Sequence, residues 1–303
     1  MAFFASVNGE IAPADQARIS VLDNGFTFGD GVYETLRTYG GRPFHLDRHL
    51  DRLRASARML DIAIPAGDDA LAADLDRLLE RAANPESYIR IIVSRGVGEI
   101  SYRFDRIKGP TIVMAARAYE PFAEAQYRDG IPVIISSVRR NSPQALDPAM
   151  KSCNLINNIL AVREAQAKKA VEPLMLNQLG DVAEGASANV FIVAKGALVT
   201  PPLSAGILPG VTRALVLELA RTLEIEARQQ PVPVRTLLAA DEAFITSTLK
   251  EAMPIATVDG RPIGSGRPGP VTMRILDAYR RYAHGRAIRP TGPGSSAPSA
   301  SRG

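Results

Sequence analysis

The chain opens on a short apolar run, Phe3-Phe4-Ala5-Ser6-Val7, that breaks at Asn8-Gly9. Asn-Gly beside an apolar run is a strong hairpin signal, so the first element reads as a strand entering a tight turn. A second small strand and turn are expected to follow, ending at Phe26-Thr27-Phe28-Gly29-Asp30-Gly31. Residues 32–39 alternate and are rich in β formers, with Gly40-Gly41 as their turn. From His45 the period changes: Leu46, Leu50, Leu53, Ala57 and Leu60 recur at steps of three and four. That spacing predicts an amphipathic helix over 45–60, and 70–83 repeats it. Residues 88–94 and 111–116 are apolar runs of strand length, parted by a glycine-containing loop. Further on, the pattern predicts strands at 132–138, 190–193 and 242–246 and helices at 155–168, 211–223 and 273–282.

Strands and helices thus mix without strict βαβ alternation. This predicts an α/β (α+β) chain of two lobes with mixed sheets. A length of 303 residues also suits two modest cores better than one. The expected division is a smaller N-terminal lobe at 1–120, a polar linker at 121–130, a larger lobe at 131–285 and a disordered tail at 286–303.

Composition narrows the classes. An apolar share of 46% and a charged share of 22% are ordinary for a soluble globular protein. No run approaches the roughly 20 apolar residues of a membrane span, and the N-terminus does not read as a signal peptide. The net charge of +4 is misleading, because Arg280, Arg281, Arg286, Arg289 and Arg302 lie where no acid follows. Without them the chain carries about −1, so no basic face for nucleic acid is expected. Cys153 stands alone, which rules out an internal disulfide framework and suits a cytoplasmic protein. Cysteine and histidine are too few and scattered for a structural metal site.

Candidate chemistry sits at element ends. Neither a phosphate loop ending in Lys-Ser/Thr nor a strand–GxGxxG–helix unit is present, which removes the commonest nucleotide sites. Lys151 stands before a helix in Met150-Lys-Ser-Cys-Asn154, and Glu184 lies between two apolar strands. Gly210-Val-Thr-Arg213 opens a helix, and Thr246-Ser-Thr248 closes a strand. A helix start with a threonine hydroxyl is a natural anion site. A buried acid needs a cationic partner, which a protonated pyridine nitrogen supplies, and a nearby lysine can form a Schiff base. Together these meet the needs of pyridoxal phosphate. Taken singly, each has a plainer reading: a solvated lysine, a turn residue, a helix cap.

The ordered set Glu184-Gly-Ala-Ser-Ala-Asn-Val-Phe191, Leu198-Val-Thr200 and Leu208-Pro-Gly-Val-Thr-Arg213 resembles the class IV (fold-type IV) pyridoxal-phosphate aminotransferases. Phe28-Gly-Asp-Gly-Val-Tyr-Glu34, His49-Leu-Asp-Arg-Leu53, Lys151-Ser-Cys-Asn154 and Thr246-Ser-Thr248 follow in that family's order. The likeness runs from about Asn8 to Tyr282. It implies a cofactor in the cleft between two lobes, with Lys151 as the catalytic Schiff-base lysine and Glu184 as the acid for the ring nitrogen. Arg52, Val211, Thr212 and Thr248 match the phosphate donors, and Leu208 the residue packed on the ring. Tyr33, Tyr88, Arg90, Tyr102 and Leu249 are the implied substrate residues.

The same resemblance implies an amino acid and a 2-oxo acid such as 2-oxoglutarate as substrates, and a homodimer with shared active sites. The segment from Tyr88 to Tyr102 is the expected contribution to the partner's pocket. Tyr88-Ile-Arg90 resembles the pocket strand of branched-chain aminotransferases, whereas the Arg-x-His pair of D-amino-acid enzymes is replaced by Ile100 and Tyr102. The Phe28–Glu34 and Lys151–Leu155 motifs lean instead toward the D-amino-acid group, and Lys250-Glu251 replaces small residues of the branched-chain carboxylate-binding turn. Branched-chain transamination is the leading expectation. D-amino-acid transamination and aminodeoxychorismate-type lyase chemistry are the alternatives, and a silent scaffold is the non-enzymatic one. Arg37, Arg90, Arg95, Arg103 and Lys250 are left unassigned as carboxylate binders.

Overall fold

A computed structural model describes residues 3–288, with side chains to 285. The backbone forms two sheets. The first contains β1 (Phe4–Val7), β2 (Glu10–Pro13), β3 (Gly31–Tyr39), β4 (Arg42–Pro43), β5 (Ser87–Ser94) and β6 (Thr111–Ala118), ordered β2-β1-β6-β5-β3-β4. Asn8 and Gly9 take φ of 51° and 89° and make the expected two-residue hairpin, with Val7 opposite Glu10. Residues 24–28 differ from expectation. They form helix α1 (Asn24–Phe28), because the Asp23 carboxylate accepts from Gly25 N at 2.8 Å and caps it. This sheet is antiparallel throughout rather than mixed.

Helices α2 (Leu46–Met59) and α3 (Asp68–Ala82) cover one face of this sheet. Leu50, Leu53 and Ala57 of α2 and Leu71, Leu75 and Leu78 of α3 are buried against Val32, Leu36, Ile89 and Ile91. Each such leucine contributes about 1.5–3 kcal/mol on leaving water. Alternation along β3 and β5 therefore splits them cleanly: Val32, Leu36, Ile89, Ile91 and Val93 face the helices. Tyr33, Thr35, Tyr88 and Arg90 point the other way.

The stretch expected as a linker holds α4 (Glu124–Asp129), whose Tyr127 is buried. Beyond it a ten-stranded sheet is built from β7 (Ile131–Ile135), β8 (Glu172–Leu176), β9 (Asp181–Gly185), β10 (Asn189–Ala194), β11 (Ala197–Thr200), β12 (Ala227–Gln229), β13 (Val232–Pro233), β14 (Glu242–Ser247), β15 (Glu251–Val258) and β16 (Arg261–Pro262). Its order is β12-β11-β10-β14-β15-β7-β8-β9-β13, with β16 on β15. β7 runs parallel to β8 and β15, and β11 parallel to β12, so this sheet is mixed. Its core strands are apolar on both faces because both are covered. The covering helices are α5 (Ile156–Ala167), α6 (Val211–Thr222), α7 (Val234–Leu238) and α8 (Pro270–Ile288). The last continues to 288, through the start of the expected tail; residues 289–303 lie outside the described residues.

The sheets are fastened together. Tyr39 and Phe44 pack with Leu215, Tyr279 and Ala283 of α6 and α8. The Arg37 guanidinium lies between the rings of Tyr39 and Tyr119, at 3.9 and 3.8 Å, and pairs with Glu251 at 3.6 Å. Glu251 has φ of 55° and is also held by Tyr39 Oη at 2.9 Å and Arg280 at 2.7 Å. A left-handed glutamate is strained, and this convergence of donors holds it there.

Candidate active site

A cleft of about 290 Å³ opens between the sheets. The outward positions of β3 and β5 form one wall, and turns at the ends of β9 and β14 form the other. Residues 151–153 run along β3: Tyr33 N donates to Lys151 O at 2.9 Å, and Cys153 N to Gly31 O at 2.8 Å. Ser56 Oγ accepts from Lys151 N at 3.1 Å. The lysine is thus fixed by the sheet, five residues ahead of α5. Its Nζ lies 4.4 Å from the centre of the Tyr33 ring. Burial, aided by the positive charge of Arg52, lowers its pKa to about 8. About one amine in ten is then neutral at pH 7, far more than for a surface lysine.

Glu184 lies within β9, opposite Met175, rather than between strands. Its Oε1 accepts from Arg140 Nε at 2.8 Å, and its Oε2 from Asn189 Nδ2 at 3.1 Å and Leu208 N at 3.0 Å. Burial raises its pKa, with Arg140 opposing. Arg140 and Asn189 are not singled out by the sequence reading. The signal for both is the buried acid itself, since such an acid requires donors around it.

Beside Glu184 a donor-lined corner forms at the start of α6. Gly210 is its N-cap, no side chain caps it, and Val211 and Thr212 are buried. A Cβ on Gly210 would stand 1.9 Å from Asn189 Oδ1, so only glycine fits. Arg52 donates through Nη1 to Pro209 O at 3.0 Å, and through Nε and Nη2 to Glu34, both at 2.7 Å. His49 Nδ1 lies 2.7 Å from the same carboxylate, and its Nε2 lies 3.4 Å from Thr248 Oγ1. Burial would raise Glu34, but Arg52 and His49 outweigh it and hold its pKa at about 2. The Thr246 hydroxyl is buried in this cleft with no partner. His49 and Glu34 stand in the sequence motifs but receive no role from them. Both occupy core positions of their elements, where a charged group is costly without a purpose.

The remaining expected residues divide. Tyr33, Tyr88, Arg90, Leu208 and Leu249 all line the cleft. Arg90 lies over the Tyr33 ring at 3.7 Å. Tyr102 does not line it: it is 86% exposed and packs on Phe28. The segment from Tyr88 to Tyr102 therefore does not act as one unit, since Tyr88 and Arg90 face this chain's own cleft. Among the unassigned cations, Arg37 serves Glu251, Arg95 pairs with Asp30 and Arg103 with Asp105. Lys250 reaches the cleft wall, where its Nζ donates to Ser187 Oγ at 2.6 Å and lies 3.2 Å from Glu172.

An enclosed amine, a buried acid and an uncapped helix start share this one cleft. That donor set suits a cofactor bearing an aldehyde, a ring nitrogen and a phosphate. The buried Thr246 hydroxyl, which has no protein partner, lies in the cleft and suits a polar atom of such a group. Among those residues no helix is long and apolar enough to cross a membrane.

Comparison with known proteins bears on the same cleft. The family model for amino-transferase class IV matches residues 31–258. A putative branched-chain-amino-acid aminotransferase of Methanocaldococcus jannaschii is 38% identical over 277 residues, covering 90% of this chain and 94% of the relative. A D-alanine aminotransferase of Bacillus licheniformis is 31% identical over 273 residues, covering 90% and 94%. The crystal structure of a T.th. branched-chain amino acid aminotransferase with pyridoxamine 5′-phosphate superposes with a TM-score of 0.88 at 30% identity, covering 94% and 95%. From cleft and comparisons alike, the chain belongs to the class IV aminotransferases, enzymes that transfer amino groups with pyridoxal phosphate.

Proposed function

We propose that Lys151 carries the pyridoxal 5′-phosphate, and that the enzyme passes amino groups between an L-branched-chain amino acid and a 2-oxo acid such as 2-oxoglutarate. The observation that carries this reading is the enclosed Lys151 amine, lowered to about 8, in one cleft with Glu184 and the start of α6. When bound, the cofactor supplies an aldehyde for imine formation and a ring that takes up electrons from the substrate Cα. Lys151 Nζ removes the Cα proton as a neutral amine and returns it as ammonium; a pKa near working pH keeps both forms available. Glu184, steadied by Arg140 and Asn189, is the acid for the ring nitrogen. Arg52, the N–H groups of Val211 and Thr212, and Thr248 hold the phosphate, while Leu208 packs on the ring. Tyr33, Tyr88, Arg90 and Leu249 face the substrate.

The Tyr88-Ile-Arg90 motif, with Tyr88 and Arg90 on the cleft wall, supports the branched-chain preference, as does the name of the M. jannaschii relative. The kinship with a D-alanine aminotransferase favours the second reading, although Ile100 and Tyr102 stand where that group has its Arg-x-His pair. Adding single amino acids to the loaded enzyme, and following its visible imine band, tests the choice. Bleaching by L-leucine, L-isoleucine or L-valine, reversed by 2-oxoglutarate, supports the first reading. Bleaching by D-alanine alone replaces it with the second, and release of pyruvate from an aminodeoxychorismate-type substrate points to the lyase.

The active form in this reading is a homodimer in the cytoplasm, consistent with the lone Cys153. Residues 1–120 and 131–285 act as its two lobes, joined through 121–130. Val21, Phe26, Ile100, Tyr102 and Phe104 are each more than 60% exposed and lie around α1 and the loop after β5. Apolar side chains so exposed suit contact with a second copy, which would bring Tyr102 to the partner's cleft. Sedimentation at decreasing concentration tests this; a monomer with full activity would refute it.

A further inference from the structure

His49, Glu34 and Thr248 are arranged so that their hydrogens have little freedom. Glu34 is fully buried and takes both nitrogens of the Arg52 fork, so it is an acceptor only. His49 Nδ1, at 2.7 Å, must therefore carry a hydrogen. In a neutral imidazole that leaves Nε2 as a lone pair facing Thr248 Oγ1 at 3.4 Å. The one hydrogen of Thr248 is then drawn to His49, and the hydroxyl presents only lone pairs to anything else. That is the wrong polarity for a phosphate oxygen, which also accepts.

The charge balance has the same defect. Arg52 reaches the corner already neutralised by Glu34, so a phosphate dianion would meet the backbone donors at the start of α6 as its main uncancelled positive character. The charged groups facing His49 are Glu34 from β3, Arg52 on its own helix and Lys151 from the segment before α5. The turn after β14 offers it only the Thr248 hydroxyl. Burial lowers the His49 pKa, with Arg52 and Lys151 adding to it and Glu34 pulling the other way.

We propose that a phosphate dianion entering this corner brings a proton from solvent onto His49 Nε2. The proton forms an N–H bond that donates to Thr248 Oγ1, and Thr248 turns its own hydrogen to the phosphate. The chain then reads Glu34 carboxylate, imidazolium, hydroxyl, phosphate, with every donor pointed at an acceptor. His49 is in this account a positioning residue, supplying charge and hydrogen-bond direction through Thr248 to the phosphate. The inference rests on the reading that Arg52, α6 and Thr248 hold the cofactor phosphate.

The chain has three histidines, His45, His49 and His284, so imidazole nitrogen resonances can be followed in ¹⁵N-labelled enzyme and assigned with His49→Asn. Apoenzyme at pH 8 is titrated with pyridoxal phosphate, with inorganic phosphate and with pyridoxal, which lacks the phosphate. Both nitrogens of His49 should be protonated with the first two, and Nδ1 alone in apoenzyme and with pyridoxal. Calorimetry in two buffers of different ionisation heat should count one more proton taken up with pyridoxal phosphate than with pyridoxal. That difference should vanish in Thr248→Val. An imine band on Lys151 with His49 Nε2 still bare would overturn the proton uptake while leaving the cofactor site intact. No imine band with wild type would instead overturn the cofactor reading itself.

Discussion

Replacing Lys250 by methionine leaves the Glu172 carboxylate buried beside the cleft without its counter-charge. The pair lies 3.2 Å apart, with side chains 11% and 4% exposed. At an effective dielectric of 20 their attraction is about 5 kcal/mol. Glu172 keeps the Ser187 N–H at 2.7 Å and the Ser187 hydroxyl, so part of its charge remains solvated by protein. Loss of the lysine should therefore cost about 3 kcal/mol, the lower end of the range for breaking a buried pair. Glu172→Gln should cost a similar amount by stranding the ammonium, whereas the double variant, which strands neither charge, should lose only about 1 kcal/mol. Urea unfolding of the four apoenzymes at pH 7.5 then yields a coupling energy of several kcal/mol. A coupling below about 0.5 kcal/mol, or a Lys250→Met loss under about 1 kcal/mol, would show that the charges are already satisfied separately and would refute this reasoning.

Three further outcomes follow from the same geometry. Gly210→Ala drives a methyl group onto Asn189, which holds Glu184, and should weaken pyridoxal phosphate binding at least tenfold in a spectral titration. Thr246→Val removes a buried hydroxyl with no partner, and should raise apoenzyme stability by about 1 kcal/mol, read as a higher thermal midpoint. Because burial lowers the Lys151 pKa to about 8, the rate at which apoenzyme forms an imine with pyridoxal should rise tenfold per pH unit up to that value and level above it. A rate still climbing at pH 10 would mean that the amine is not enclosed as described.

Periodicity located most of the fold because most elements bury one regular stripe. The helix over 45–60 and the strand over 32–39 were legible for that reason, and both lie within a residue of their observed bounds. Residues 24–28 were not, since Asn24 is the only buried residue of α1, which is held by an aspartate cap rather than by an apolar face. At the site, Lys151, Glu184 and the start of α6 could be read from local motifs. Arg140 could not, because its partner Glu184 is 44 residues away and only the sheet brings them together. Tyr102, expected at a partner's pocket, lies exposed on the loop after β5, away from this chain's own cleft.

The joint at Arg37 bears on how ligands enter and leave. Transamination runs as two halves, so one product must depart before the next substrate arrives. The guanidinium between Tyr39 and Tyr119, together with its ion pair to Glu251, ties β3 to β15 and opposes any jaw-like parting of the sheets. Tyr119 Oη also donates to Leu249 O at 3.0 Å, which pins the lip of the cleft to the same joint. Traffic must then rely on displacements of side chains along the cleft wall, such as Arg90 over Tyr33. Such swings are far quicker than whole-lobe opening, so each exchange can be brief and the pocket need never be dismantled between halves.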